Sequence, residues 1–256
     1  MFSLQQSQTS LLSEPETHPL LSPETAATLG SVLVVAPHPD DESLGCGGLL
    51  ALLSHSGNDV HVLVMTDGSR SHPNSISHPA ARLAALREKE TLDAVAALGL
   101  PANCVRFLRY PDCGLPLVGT VPFDRTVLDL REAFQALAPA TILLPWRRDP
   151  HCDHEGTWAL AREAVAGLSK QPRWLEYPVW SWTKPQSQIA PQANEGLAAW
   201  RLDISPVLDL KKQAIAQHRS QLGALIQDDP TGFHLEREMV AHFERPWELY
   251  LEADHV

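Results

Sequence analysis

Two short clusters of ionisable residues concentrate the chemistry this chain can do. In the first, His38-Pro39-Asp40-Asp41-Glu42, four ionisable side chains fall within five positions, just after the apolar run Val32-Leu33-Val34-Val35. The second, His151-Cys152-Asp153-His154, follows another apolar run, Thr141-Ile142-Leu143-Leu144. Imidazole and carboxylate are the donors of a catalytic zinc site, which commonly uses three protein ligands and keeps one position open. Such a metal lowers the pKa of a bound water towards about 7, and the chemistry then needs a further carboxylate to take that water's proton. Adjacent aspartates at a strand-to-loop turn cannot both point the same way, which suits one ligand and one base.

Each cluster alone has a plainer explanation. A single histidine is more often packed or solvated than ligating. Asp-Asp-Glu is compatible with a solvated turn or with the N-cap of a following helix. His151 and His154, at i and i+3, would share a helix face without any metal. What favours one divided site is that both clusters sit at the carboxyl ends of apolar runs, the edge where open α/β sheets bind ligands.

The elements that must position them alternate between strand and helix. Residues 32–36, 60–66, 104–109, 141–144 and 174–182 read as strands, the first apolar throughout, as a strand buried on both faces should be. Residues 44–55, 80–98, 122–138 and 155–168 read as the intervening helices, with Gly99 and Pro101 closing the second. Repeated β-α units with right-handed crossovers imply a mainly parallel sheet covered on both faces. Further on, 199–204 reads as a strand, 206–222 as a helix and 247–252 as a final strand. The polar loop 69–79 has the length of a binding loop or lid, and 184–195 reads as a Pro/Gln-rich surface loop. The aromatic stretch 177–182 is compatible with a platform for a sugar ring or with a packed strand.

The 256 residues carry a formal charge of -11, which argues against a general nucleic-acid or acidic-membrane binder. No apolar stretch approaches the roughly 20 residues that span a bilayer. Residues 1–30 are rich in Ser, Gln, Thr, Pro and Glu and lack the basic and apolar regions of a signal peptide. They are expected to form an N-terminal arm before a single domain, 31–256. Cys46, Cys104, Cys113 and Cys152 form no CxxC pair. They read as small buried side chains in a reduced, cytoplasmic protein. The sequence is compatible with a homo-oligomer but does not set its state.

His38-Pro39-Asp40-Asp41-Glu42, continued by Ser43-Leu44-Gly45-Cys46-Gly47-Gly48, resembles the signature of the PIG-L/LmbE-like zinc-dependent N-acetylglucosaminyl deacetylases, and His151-Cys152-Asp153-His154 resembles that family's second motif. Smaller matches at Met65-Thr66-Asp67-Gly68, Arg87-Glu88-Lys89-Glu90, Leu98-Gly99 and Pro111-Asp112, and a late pattern of Lys212, Ala216, His218, Ser220 and Gln221, carry the resemblance from about residue 31 to 222. It implies a Rossmann-like three-layer α/β sandwich with strand order 3-2-1-4-5 and C-terminal additions, bringing both clusters to the topological switch point. It also implies one Zn2+ per chain, with Fe2+ or another divalent ion fitting the same donors, held by His38, Asp41 and His154. Asp40 would be the general base, His151 the donor to the oxyanion, and Asp153 the group that orients His151 or keeps it protonated. Glu42 would support the ligands from behind, and Arg87 and Asp112 would contact sugar hydroxyls. For Arg87 the alternative is a pair with Glu90 along the helix; for Asp112, a plain turn residue. His218 is expected either to bond near the site or to lie on the surface. Some members place a tyrosine two residues before the second motif; here Asp149 stands there, an extra carboxylate behind the site. Cys152 is not expected to join the ligands, since its direction differs from that of His154.

The implied activity is removal of an N-acetyl group from an N-acetylglucosamine-type sugar or glycoconjugate. Close alternatives are an amidase with the same metal site acting on another small N-acyl or thiol-conjugate substrate, and a metal-binding protein without catalysis. A nucleotide-binding module is a more distant one, resting on Gly45-Cys46-Gly47-Gly48, but Leu50 stands where that fingerprint needs its third small residue.

Overall fold

The computed structural model describes residues 10–253; the expectations for residues 1–9 and 254–256 lie outside the described residues. Eight described strands form one sheet: β1 (Leu20–Leu21), β2 (Val32–Ala36), β3 (Val60–Thr66), β4 (Val105–Tyr110), β5 (Thr141–Pro145), β6 (Arg173–Tyr177), β7 (Leu197–Asp203) and β8 (Trp247–Ala253). Their spatial order is β1-β7-β8-β6-β5-β2-β3-β4. The stretch β4-β3-β2-β5-β6 is parallel throughout and has the expected five-strand order. β8 then joins antiparallel to both β6 and β7, and β1 adds a short parallel strand from the N-terminal region.

Each central strand is buried on both sides because its alternate residues feed two cores. Val32, Val34 and Ala36 of β2 pack with α1 (Asp41–Ser56), α2 (Ala80–Ala97) and α5 (Leu208–Gln217). Leu33 and Val35 face α3 (Val121–Leu137) and α4 (Cys152–Ala166) across the other side. The result is a three-layer α/β sandwich. The chain leaves β2 towards β3 and leaves β5 towards β6, so the crevice between β2 and β5 is the switch point.

Several boundaries differ from the sequence expectation, among them the start of α4, which lies at Cys152 rather than at residue 155. The fifth strand stops at Tyr177, and Trp180–Thr183 forms a 3-10 turn, because Asp149 captures the backbone N–H groups of Val179, Trp180 and Ser181 at 3.2, 2.9 and 2.7 Å. The helix expected over 206–222 runs only from Leu208 to Gln217 and gives way to a 3-10 turn at Arg219–Gln221. The first helix begins at Asp41, so the acidic cluster is its first turn rather than a loop before it. α6 (Arg237–Phe243), absent from the sequence reading, packs Met239 and Phe243 into the core.

The glycines after the acidic cluster lie inside α1. A Cβ on Gly45 would come within 2.3 Å of the Tyr177 ring, and one on Gly48 within 2.6 Å of Ile204. These glycines serve close packing, not a phosphate cradle. The buried Glu248 carboxylate also accepts from the Gly48 and Leu49 N–H groups at 2.7 and 2.8 Å and from Lys211 Nζ at 2.7 Å.

Candidate active site and metal centre

Both clusters meet at the end of β2 and β5. Asp40 caps α1 with φ 147°, a backbone region that costs an L-residue about 1–3 kcal/mol. The turn is held from two sides. Glu42 accepts the Asp40 N–H at 3.0 Å, and Arg87 places its guanidinium 3.0 Å from Asp40 Oδ2 while also donating to Pro39 O and Gly68 O. Asp41, one residue on, points elsewhere: its Oδ2 accepts the His38 N–H at 2.9 Å and lies 3.2 Å from His38 Nδ1 and 3.3 Å from His154 Nε2. The adjacent aspartates are thus turned to different partners.

α4 supplies the second half. His151 caps it, and its Nδ1 accepts from the Asp153 backbone N–H at 3.2 Å. The neutral ring then carries its proton on Nε2. The Asp153 carboxylate turns instead to His38 Nε2 at 3.1 Å and to the Cys113 N–H at 2.7 Å. His154 is fully buried; its Nδ1 lies 2.8 Å from Asp149 Oδ2, off the line of a well-formed hydrogen bond, and its Nε2 has no hydrogen-bond partner.

The charges follow from these contacts. Burial alone would discourage a charged His38, but hydrogen bonds to Asp153 and Asp41 raise its pKa to about 9. His154 behaves likewise: burial opposes charge, and Asp41 and Asp149 outweigh it, raising the ring to about 10. For Asp41, burial favours the acid form, yet the two imidazoles hold it well below the ordinary carboxylate range. Asp40 goes the other way, pushed up by burial with Arg87 only partly offsetting it. His151 is lowered to about 4 by burial and by its neighbours His38 and His154.

The carboxylates around His38 and His154 favour positive charge on two buried imidazoles, a local demand that a dication would also meet. The orphaned His154 Nε2 beside Asp41 fits the same purpose, and one ring nitrogen from each of His38, His151 and His154 lies within 4.8 Å of the others. A nitrogen and oxygen donor set of this kind suits zinc or Fe(II).

A pocket of about 240 Å³ opens over these groups, lined among others by Asp40, Arg87, Asp112, Val179, Trp180 and Phe233. Of the three aromatic rings in 177–182, Trp180 reaches it, stacked over His151 with centroids 5.9 Å apart. Tyr177 is buried and donates to Val35 O, and Trp182 packs on His242. Arg87 is not paired with Glu90, which instead accepts from Ser220. Asp112 Oδ2 accepts the Arg70 N–H at 2.9 Å, and its Oδ1 stands 3.7 Å from His38 Nε2. Glu42 is fully buried and pairs with His218, which also reaches Ser43, so His218 belongs behind the site and not on the surface. Cys46 and Cys104 are buried as expected, whereas Cys113 and Cys152 are exposed.

The profile of the PIG-L family, GlcNAc-PI de-N-acetylase, matches residues 33–165, over half of the chain. The chain belongs to the PIG-L family. This PIG-L chain is 31% identical over 207 residues to a probable N-acetyl-alpha-D-glucosaminyl L-malate deacetylase 2 of Bacillus cereus, covering 77% of this chain and 86% of the relative. It is 30% identical over 199 residues to the diacetylchitobiose deacetylase of Thermococcus kodakarensis, covering 74% and 69%. Its fold matches the N,N'-diacetylchitobiose deacetylase of Pyrococcus horikoshii with a TM-score of 0.60 and 28% identity, over 75% of this chain and 70% of that one. Among the described residues no helix is long and apolar enough to cross a membrane.

Two residues that build the PIG-L pocket carry no signal in the sequence. Phe233 and Leu235 line it from a stretch without regular periodicity, where Phe233 N–H donates to Ser71 O at 2.6 Å. The loop 69–79 is tied to the same stretch: Asn74 N–H donates to Asp229 and Ser77 N–H to Asp228, each at 2.8 Å. No local signal in either segment announces that pairing.

Proposed function

We propose that this chain is a metal-dependent N-deacetylase that removes the acetyl group from an N-acetylglucosamine-type sugar or glycoconjugate. The observation that carries the reading is the divergence of the two aspartates: Asp41 turns to His38 and His154, while Asp40 lies in the same pocket on Arg87. The names of the two curated relatives, both deacetylases of glucosamine-type sugars, support the substrate class.

In this reading His38, Asp41 and His154 hold one Zn2+, with Fe2+ as the other candidate for the donors. When bound, the ion supplies Lewis acidity for the acetamide carbonyl and for water. Asp40 takes the proton of the attacking water and later delivers it to the leaving amine; its raised pKa suits both steps. His151, neutral and protonated on Nε2, donates to the oxygen that gains charge. Asp153 sets that tautomer through its backbone N–H and steadies His38 with its carboxylate. Arg87 acts on Asp40, positioning the base rather than reaching for sugar hydroxyls, and Asp112 together with Trp180 borders the space for the ring. Four free cysteines support a reduced, cytoplasmic setting.

The test is acetate release from a panel of N-acetylglucosamine glycosides, using metal-stripped and zinc-reconstituted protein. Acetate and free amine should appear together, and only with metal restored. If zinc binds and no glycoside releases acetate, the amidase reading on another small N-acyl or thiol-conjugate substrate takes its place.

A further inference from the structure

Two exposed thiols stand at the rim of the site and take no part in the chemistry above. Cys113 lies in the turn after β4, and Cys152 is the first residue of α4. Cys113 Sγ, Cys152 Sγ, a ring nitrogen of His151 and a carboxylate oxygen of Asp153 all fall within 4.8 Å of one another. In a tetrahedral zinc site with Zn–S near 2.3 Å and Zn–N near 2.0–2.1 Å, donors stand roughly 3.3–3.8 Å apart. A modest contraction of side chains would therefore close the group on an ion.

Two further observations point the same way. The turn that carries Cys113 is already fixed to α4, since its N–H donates to Asp153 Oδ2 at 2.7 Å. The Cys113 thiol also donates to Asp112 Oδ1 at 3.5 Å, so an ion that displaced its proton would find a carboxylate beside the sulfur. The donor set differs in kind from the neighbouring centre: two sulfurs, one imidazole and one carboxylate select a soft, thiophilic ion, whereas His38, Asp41 and His154 offer only nitrogen and oxygen. Exposure of both thiols gives the ion access from solvent.

We propose that Cys113, His151, Cys152 and Asp153 form a second cation site for zinc or another thiophilic divalent ion, and that filling it inhibits the enzyme. Inhibition follows because the ion engages His151 and Asp153. His151 can then no longer serve the developing negative charge, and the Asp153 hold on His38 is loosened. The binding half stands independently; the inhibition half rests on the deacetylase reading.

The test starts from protein that carries one equivalent of zinc and whose four thiols are counted as reduced. A further equivalent of Co2+ is titrated while near-ultraviolet absorbance is followed, and Zn2+ is titrated in parallel by calorimetry and against turnover. A second equivalent should bind with a thiolate-to-metal charge-transfer band, which the nitrogen and oxygen donors of the first centre cannot give. Turnover should fall in step with Zn2+ binding. Cys152→Ser should diminish the band and weaken the second equivalent at least tenfold, with the first equivalent and basal turnover unchanged. Cys113→Ser should likewise diminish the band, and the double variant should remove it. Binding of one equivalent only, or a second equivalent without the band or unchanged in Cys152→Ser, overturns the site. A normal band in a protein that deacetylates nothing would leave the site standing and remove the deacetylase reading instead.

Discussion

Asp40 Oδ2 and the Arg87 guanidinium lie 3.0 Å apart, both almost wholly buried, and this pair sets the orientation of a carboxylate whose backbone is already strained. Removing the arginine leaves that carboxylate buried without its partner, a change that costs about 3–5 kcal/mol in comparable pairs. Arg87→Ala should therefore lower the melting temperature clearly. It should also raise the Asp40 pKa, because the nearby positive charge that partly offsets burial is gone; opposite charges at this range shift a carboxyl by roughly 1–3 units. A base with a higher pKa is protonated at higher pH, so the acid limb of kcat/KM should move upward. Arg87→Lys, which keeps the charge but not the forked geometry, should fall between the two. An unmoved acid limb in Arg87→Ala would detach Arg87 from the base.

Metal uptake should release protons. His38 and His154 carry folded-state values of about 9 and 10, so both rings are charged at neutral pH when no metal is present. Ligating nitrogens must be unprotonated. Calorimetry in buffers of different ionisation heat should thus report about two protons released per zinc at pH 7, and affinity should climb steeply with pH. The same rings set the stability of the metal-free protein. Their pKa values are raised, so their contribution is complete below the ordinary value of 6.5 and is lost as pH rises through 9 to 10. Absence of proton release would mean that the rings are neutral and that the carboxylates do not control them.

The central sheet was legible in the sequence because β2, β3 and β5 are nearly continuous apolar runs, as strands covered on both faces are. The clusters at their ends stood out as a pair: each alone had a structural reading, and both do begin helices, but two such clusters follow two buried strands. What the sequence did not reveal depends on distant partners. Asp149 ends β6 early by collecting three N–H groups from the 179–181 turn, and nothing in that turn's own residues signals it. The aromatic pattern at Tyr177, Trp180 and Trp182 reads as one strand, yet the three rings go to three different surroundings. Asp153 was expected to orient His151 or keep it protonated; only its backbone N–H meets His151, while its carboxylate goes to His38.

The glycines of α1 make a separate prediction about packing. Gly48→Ala would drive a Cβ to 2.6 Å from Ile204, and Gly45→Ala would meet the Tyr177 ring at 2.3 Å. Overpacking a tight core costs typically about 1–3 kcal/mol. Each variant should denature at lower denaturant concentration with an unchanged slope, and neither the variants nor the parent should bind NAD. Tight NAD binding by the parent would contradict the packing role of these glycines.

The proposed chemistry depends most on the division between the two aspartates. Its most direct measurement is acetate release by wild-type protein and Asp40→Asn at matched zinc content, on a glycoside the wild type deacetylates. Loss of a general base costs about 100- to 10,000-fold, so Asp40→Asn should keep its zinc and lose turnover by at least a hundredfold. Wild-type turnover in Asp40→Asn, with zinc still bound, would contradict the assignment of Asp40 as the base.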